Sequence, residues 1–208
     1  MQNRLLDCQN REFLYALYSR IFMQEADEAL LELVETENIK EFFPNLFEWK
    51  KYNTIDKKTL IIEHLNVDFT DLSLLHLIPY ETFYTRDDGM IESGGDNEAL
   101  QFYDRFEFVV EKDKARVLSP DHVAVEFEFI HKLIESEKKA LESDDTKAAD
   151  EFRDIQLEFI EKHLIPWAPL YFINVKNEAQ TPLYHDSAMM ALDFLLSDFE
   201  YLKEAQAA

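Results

Sequence analysis

Glycine is nearly absent from this chain: its 208 residues contain three, Gly89, Gly94 and Gly95, all in one short stretch. A strand-rich fold turns often, and its tight turns draw on glycine to supply positive φ. A chain that turns so seldom is better served by helices. The spacing of apolar residues agrees. Phe13, Leu14, Leu17, Tyr18 and Ile21 recur at helical intervals and predict a helix over 3–23. Further helices are expected over 25–35, over 39–51 with an interruption at Pro44, and over 56–75. Residues 79–97 read as a long loop, which in a helical domain is uncommon and often functional. Helices then follow over 97–108, from Ser119 to 141, from Ser143 to 163, and from Thr181 to the end. Ser119-Pro120-Asp121 and Thr181-Pro182 are read as cap-then-proline starts.

The fold class expected is therefore all-α. The charged segment 111–119 reads as a hinge between an N-terminal helical half, 1–110, and a C-terminal half, 120–208, packed as one compact unit. With 17 Phe, 9 Tyr and 2 Trp the chain has ample material for a core.

Charge narrows the partners. Forty-three acidic residues against 21 basic ones give a net charge of −22, which repels phosphate backbones and anionic lipid. Nucleic acid is not expected as a partner, and a basic protein segment is. Cys8 is the single cysteine, so neither an internal disulfide nor a cysteine-based zinc site is expected. The first residues lack the apolar run of a signal peptide, and no segment has the length of a membrane span. The expected location is the cytoplasm.

Signs of catalysis are lacking. There is no phosphate-binding Gly-x-x-x-x-Gly-Lys and no Gly-x-Ser-x-Gly. Glu128 and His131 match one Glu-x-x-His pair, but di-iron helical proteins use two such pairs with two further glutamates. No enzyme activity, metal or cofactor is expected. Asp121 and His122 stand out, with Glu126 on the same helix face as His122. One reading makes them a capped helix start, in which case Asp121→Asn costs only a small dipole contribution. The other makes them a binding site, with His122 titrating between about pH 5.5 and 7.5.

The segment Pro120-Asp121-His122-Val123-Ala124-Val125-Glu126-Phe127-Glu128-Phe129 closely resembles a signature of the TorD/DmsD/NarJ family of molybdoenzyme maturation chaperones. Other segments resemble that family in the same order: Asp68-Phe69-Thr70-Asp71-Leu72, Pro79-Tyr80-Glu81-Thr82-x-Tyr84, Leu100-x-x-Tyr103-x-x-Phe106-Glu107-Phe108, His163-Leu164-Ile165-Pro166-Trp167-x-Pro169, and Thr181-Pro182-Leu183-Tyr184. Thr82 stands where the family has Ser, and Glu107 where it has Gly. The second departure puts any close backbone approach at 107 in doubt.

The resemblance implies a family-specific helical bundle, as a monomer or a domain-swapped dimer. It implies a chaperone that binds the twin-arginine leader, or N-terminal segment, of a molybdenum-dependent oxidoreductase catalytic subunit until cofactor insertion and assembly or export. A leader with two guanidinium groups beside an apolar stretch needs carboxylates and an aromatic surface. Asp121, Glu126 and Glu81 are the candidate carboxylates. Pro79, Tyr80, Phe83, Tyr84, Tyr103 and Trp167 are the candidate apolar contacts, with His122 beside them. The competing readings are a helical metal-dependent enzyme and a structural subunit of an anaerobic redox complex.

Overall fold

The computed structural model describes residues 2–110 and 117–207. Among them there is no strand, and an isolated antiparallel bridge joins Tyr80 to His122. The α-helices are α1 (Gln2–Met23), α2 (Glu28–Val34), α3 (Glu37–Lys40), α4 (Pro44–Glu48), α5 (Lys50–Thr54), α6 (Lys57–Thr59), α7 (Asn66–Thr70), α8 (Glu81–Thr85), α9 (Glu98–Asp104), α10 (Val123–Glu142), α11 (Thr146–Phe159), α12 (Ala168–Glu178) and α13 (Pro182–Ala207). Three π-helical stretches, Leu60–Leu65, Asp71–His76 and Ile160–Leu164, continue α6, α7 and α11. The helical class expected from the sequence is what the described residues show.

Local chemistry explains most of the starts. Asp27, Asn97 and Asp145 each accept a hydrogen bond from a backbone N–H three residues on, at 2.8, 3.0 and 3.0 Å. Pro44 opens α4 and Pro182 opens α13, where a missing N–H is harmless. Two expectations need correction. Residues 168–178 were not expected to be helical because Pro166 and Pro169 looked like terminators. Pro169 instead lies in the first turn of α12, where proline is tolerated. The helix expected from Ser119 begins at Val123, because Ser119 and Asp121 bond elsewhere and the His122 ring accepts from Ala124 N–H at 3.2 Å.

The chain gathers into two units, each built from separate segments. The first comprises residues 1–23, 80–168 and 195–208. In it α10 packs against α1 and α11. Tyr15 and Phe127 meet edge to face at 5.3 Å, and Phe129 meets Phe159 at 4.8 Å. A buried polar network crosses this core: Arg11 bonds Asp198 and Gln156, Tyr15 donates to Asp198 at 2.8 Å, and Gln156 donates to Glu137 at 2.8 Å. Val117–Ser119, the described part of the expected hinge, belongs to this unit; 111–116 lie outside the described residues.

The second unit comprises residues 24–79 and 169–194. Leu31, Val34, Leu46, Leu65, Phe172, Leu183 and Ala188 are among its buried apolar residues. Asp68 holds the entrance of α13 there. It accepts from the N–H of Gln180 at 3.0 Å, and from the N–H and hydroxyl of Thr181 at 2.7 and 2.6 Å.

Glu107, where the resembled family has glycine, adopts a φ of 55°. The left-handed turn there lets Phe108 N–H reach back to Tyr103 C=O at 3.1 Å, closing α9. A side chain at this φ costs about 1 kcal/mol that glycine would not. Glu107→Gly should therefore raise stability by up to about 1 kcal/mol, read as a shift of the urea midpoint at unchanged slope.

Candidate functional site

Four segments of the first unit meet at the start of α10. The Tyr80–His122 bridge sets the frame: Glu81 N–H donates to Asp121 C=O at 3.0 Å, and the Tyr80 hydroxyl accepts from Leu118 N–H at 2.9 Å. The two rings pack edge to face at 5.1 Å.

Asp121 is wholly buried and turned inward. Its Oδ2 accepts from the N–H of Thr82 at 2.8 Å and from the Thr82 hydroxyl at 2.7 Å. Its Oδ1 faces the Ser119 hydroxyl. The N–H of Thr82 is one of the unpaired donors in the first turn of α8, so Asp121 caps α8 from a distance. The network extends outward. Thr82 Oγ1 accepts from Glu92 N–H at 2.9 Å, and Asn97 Nδ2 donates to Glu92 C=O at 2.8 Å. Residues 79–97, a loop by composition, are thereby tied down at both ends, with α8 inside them.

Below this lies a pair of carboxyl groups. Glu81 meets His163 Nδ1 at 3.1 and 3.2 Å. The His163 ring stacks on Phe159 at 4.7 Å. Glu126 is 0% exposed, and neither of its oxygens has a hydrogen-bond partner of good geometry. Burial raises its pKa well above the usual carboxylate range, and the charges of Glu81 and Asp121 push the same way, while the Trp167 indole opposes them. Burial also raises Glu81, against the opposing pull of His163. Two acids held this close share protons instead of ionising together.

The aromatic residues divide by exposure. Trp167 is buried and stacks on the half-buried Tyr84 at 5.3 Å. Tyr103 is fully buried among Phe108, Phe129 and Phe159, and its hydroxyl donates to Pro120 C=O at 3.3 Å. Phe83 meets Tyr84 edge to face at 5.2 Å. Pro79 is buried and is the last residue of the second unit's first segment.

The fold thus gathers Tyr80, Glu81, Tyr84, Tyr103, Asp121, His122, Glu126 and Trp167 in one unit. His122 is corrected in one respect: burial lowers its pKa to about 3, so the ring stays neutral and cannot titrate between pH 5.5 and 7.5. His163, Ser119, Asn97 and Glu92 were not singled out as site residues. His163 carried a signal in its His-Leu-x-Pro-Trp segment; the others act through backbone contacts that no motif reveals. His131 Nδ1 meets Glu12 C=O at 3.1 Å, and among the described residues no cluster of His, Cys, Asp and Glu has the geometry to hold a metal. No described helix is long and apolar enough to cross a membrane.

Two outcomes follow. Asp121→Asn replaces an ionised acceptor facing an N–H and two hydroxyls, so it should cost about 1.5–3 kcal/mol of stability, measured by denaturant unfolding. A cost within a few tenths of a kcal/mol would show that the inward bonds contribute little. Glu126 has a folded pKa above its ordinary value of 4.5. Its contribution is whole below that value and is lost as pH rises towards the folded pKa. Relative to wild type, Glu126→Gln should gain melting temperature between about pH 5 and pH 8; a constant difference across that range would contradict a buried titrating Glu126.

Comparisons with known proteins show the family. A family model described as nitrate reductase delta subunit matches residues 27–172. A protein named chaperone protein TorD from Vibrio atlanticus (strain LGP32) is 22% identical over 93% of this chain and 95% of its own length. Its namesake from Vibrio parahaemolyticus serotype O3:K6 (strain RIMD 2210633) is 23% identical with the same coverage. No solved structure matches. The matched family and the names of these relatives indicate a chaperone and not an enzyme. The chain belongs to the nitrate reductase delta subunit family, which is also the family of the TorD and NarJ chaperones.

Proposed function

We propose that this protein is a cytoplasmic chaperone that binds the twin-arginine leader or N-terminal segment of a molybdoenzyme catalytic subunit and holds it until cofactor insertion and assembly or export. The observation that carries this reading is Glu126: a wholly buried carboxyl that accepts no hydrogen bond of good geometry, near Glu81 and Trp167, with Trp167 stacked on Tyr84. A guanidinium supplies several donors in one plane and a charge that would ionise both acids. In this reading Tyr84 and Trp167 part to admit the arginine, and Glu81 and Glu126 receive it. Asp121, His122, Tyr80 and Tyr103 hold the frame, and Pro79 stiffens the entry to α8.

One further feature supports the reading. The surplus of acids, 43 against 21 basic residues, draws a basic segment towards the surface.

A peptide carrying two arginines and an apolar run should bind, and should bind less well as salt rises. Replacing both arginines by glutamine should weaken it by about 10- to 100-fold, the equivalent of one lost charge-assisted contact. Titration calorimetry checks this, with the N-terminus of a co-purified partner as a second peptide. Equal affinity for the arginine and glutamine peptides would remove the carboxyl pair from the reading.

A further inference from the structure

The short helix α8 is held in the first unit by polar groups. Its five residues bury two side chains, Glu81 and Thr82, and neither is apolar. The neighbouring α9 buries Ala99, Phe102 and Tyr103, and α10 buries most of its length. A helix as short as α8 is marginal alone. Its attachments include the N–H and hydroxyl of Thr82 on Asp121 Oδ2, Glu81 N–H on Asp121 C=O, the contact of Glu81 with His163, and the stack of Tyr84 on Trp167. An element with so little buried apolar surface opens locally before the rest of its unit unfolds.

Glu126 gives that opening a charge. It is 0% exposed and accepts no hydrogen bond of good geometry. The groups that face it are Glu81 from α8, Tyr103 from α9, Asp121 ahead of α10 and Trp167 ahead of α12. His163, from the π-helical stretch 160–164, meets Glu81, and Glu128 of α10 acts on Tyr103. Glu81 and Asp121 both repel a negative charge on Glu126. Ionised in the closed form, Glu126 would be a buried charge without a donor, beside a second carboxyl group. That second group is carried by α8, the element with the least apolar burial around it. Displacing α8 separates Glu81 from Glu126 and admits water to both.

We propose that a proton held by the Glu81–Glu126 pair latches α8 against the start of α10, and that its release lets α8 swing away while α9, α10 and α11 stay folded. The direction with pH follows from the two forms. In the closed form burial holds the pKa of Glu126 above its ordinary value of 4.5, and burial raises Glu81 in the same sense. In the open form water restores ordinary values. Opening is therefore independent of pH below the ordinary value, and becomes more frequent as pH rises from there towards the closed-form pKa. The movement parts Tyr84 from Trp167 and uncovers both carboxyl groups. The device needs no ligand and does not rest on leader binding.

Native-state hydrogen exchange on the full-length protein tests the latch, with protection taken against each amide's intrinsic rate at each pH. The N–H groups of Glu81 and Thr82 are the reporters, because both donate to Asp121. Their protection should fall by up to about tenfold per pH unit between about pH 5 and pH 8, the slope of one released proton. The amide of Ile130, in the middle of α10, should stay far better protected throughout. Glu126→Gln keeps the shape of the neutral acid and should flatten the slope at Thr82. Infrared spectroscopy reads the proton itself: at about pH 7 exposed acids are ionised, so a carbonyl stretch of an un-ionised acid, absent from Glu126→Gln, belongs to the pair. Protection at Thr82 that does not change with pH, or that falls equally in Glu126→Gln, overturns the proposal. Equal protection at Thr82 and Ile130 also overturns it, since the opening would then be global, and this comparison decides alone if Glu126→Gln does not fold. Absence of the acid band overturns it as well. The leader-peptide titration reads the other proposal separately.

Discussion

A buried aspartate set against the start of a different helix is the contact on which most of this structure depends. Asp121 lies ahead of α10 and closes the first turn of α8 through Thr82. Asp68 on α7 closes the entrance of α13 through Gln180 and Thr181. Asp186 on α13 closes the first turn of α4 through Asn45 and Leu46. Each satisfies backbone donors that a short helix cannot satisfy itself, and each places a negative charge at the positive end of a dipole. Short helices such as α4 and α8 are marginal alone. Held from outside by a carboxylate, they become fixed parts of their unit.

The device explains where sequence reading succeeded and where it stopped. Long helices were legible because apolar periodicity is local: α1, α10 and α11 all lie close to their expected spans. A local start signal was legible for the same reason at Pro182. The start of α10 was misplaced because Ser119-Pro120-Asp121 has the composition of a cap and spends its polar atoms on residues 82 and 92 instead. The helix α12 was missed because Pro169 reads as a stop unless it is known to be in a first turn. At the site, the resemblance gathered residues 80–84, 121–126 and 167. It did not say that Asp121 would face inward, since the side chains of 82 and 119 that determine this differ from others only by a hydroxyl.

Acid surplus reads at first as a matter of solubility. In the structure the acids serve two purposes. Many are exposed, and Asp68, Glu81, Asp121, Glu126, Glu137, Asp186 and Asp198 are buried. Most of the buried ones accept from donors fixed by the fold. Glu126 is the exception, and its burial raises its pKa well above the usual carboxylate range, which favours the neutral form. In the proposed reading a cationic partner would alter that balance and so link binding to the protonation of this carboxyl.

The π-helical stretches at 60–65, 71–76 and 160–164 carry a consequence for how the family is compared. A π turn spans one more residue than an α turn while the helix on either side keeps its course. A single-residue insertion can thus be absorbed without moving the residues before or after it. Two chains can keep the same packing yet slip out of register by one position at such a turn. With relatives at 22% and 23% identity, such slips would hide true equivalences downstream of each π turn. Phe69, Asp71 and Trp167 all lie within a few residues of one. Equivalence across this family is therefore better anchored on the aspartate-to-helix contacts than on the count of residues between motifs.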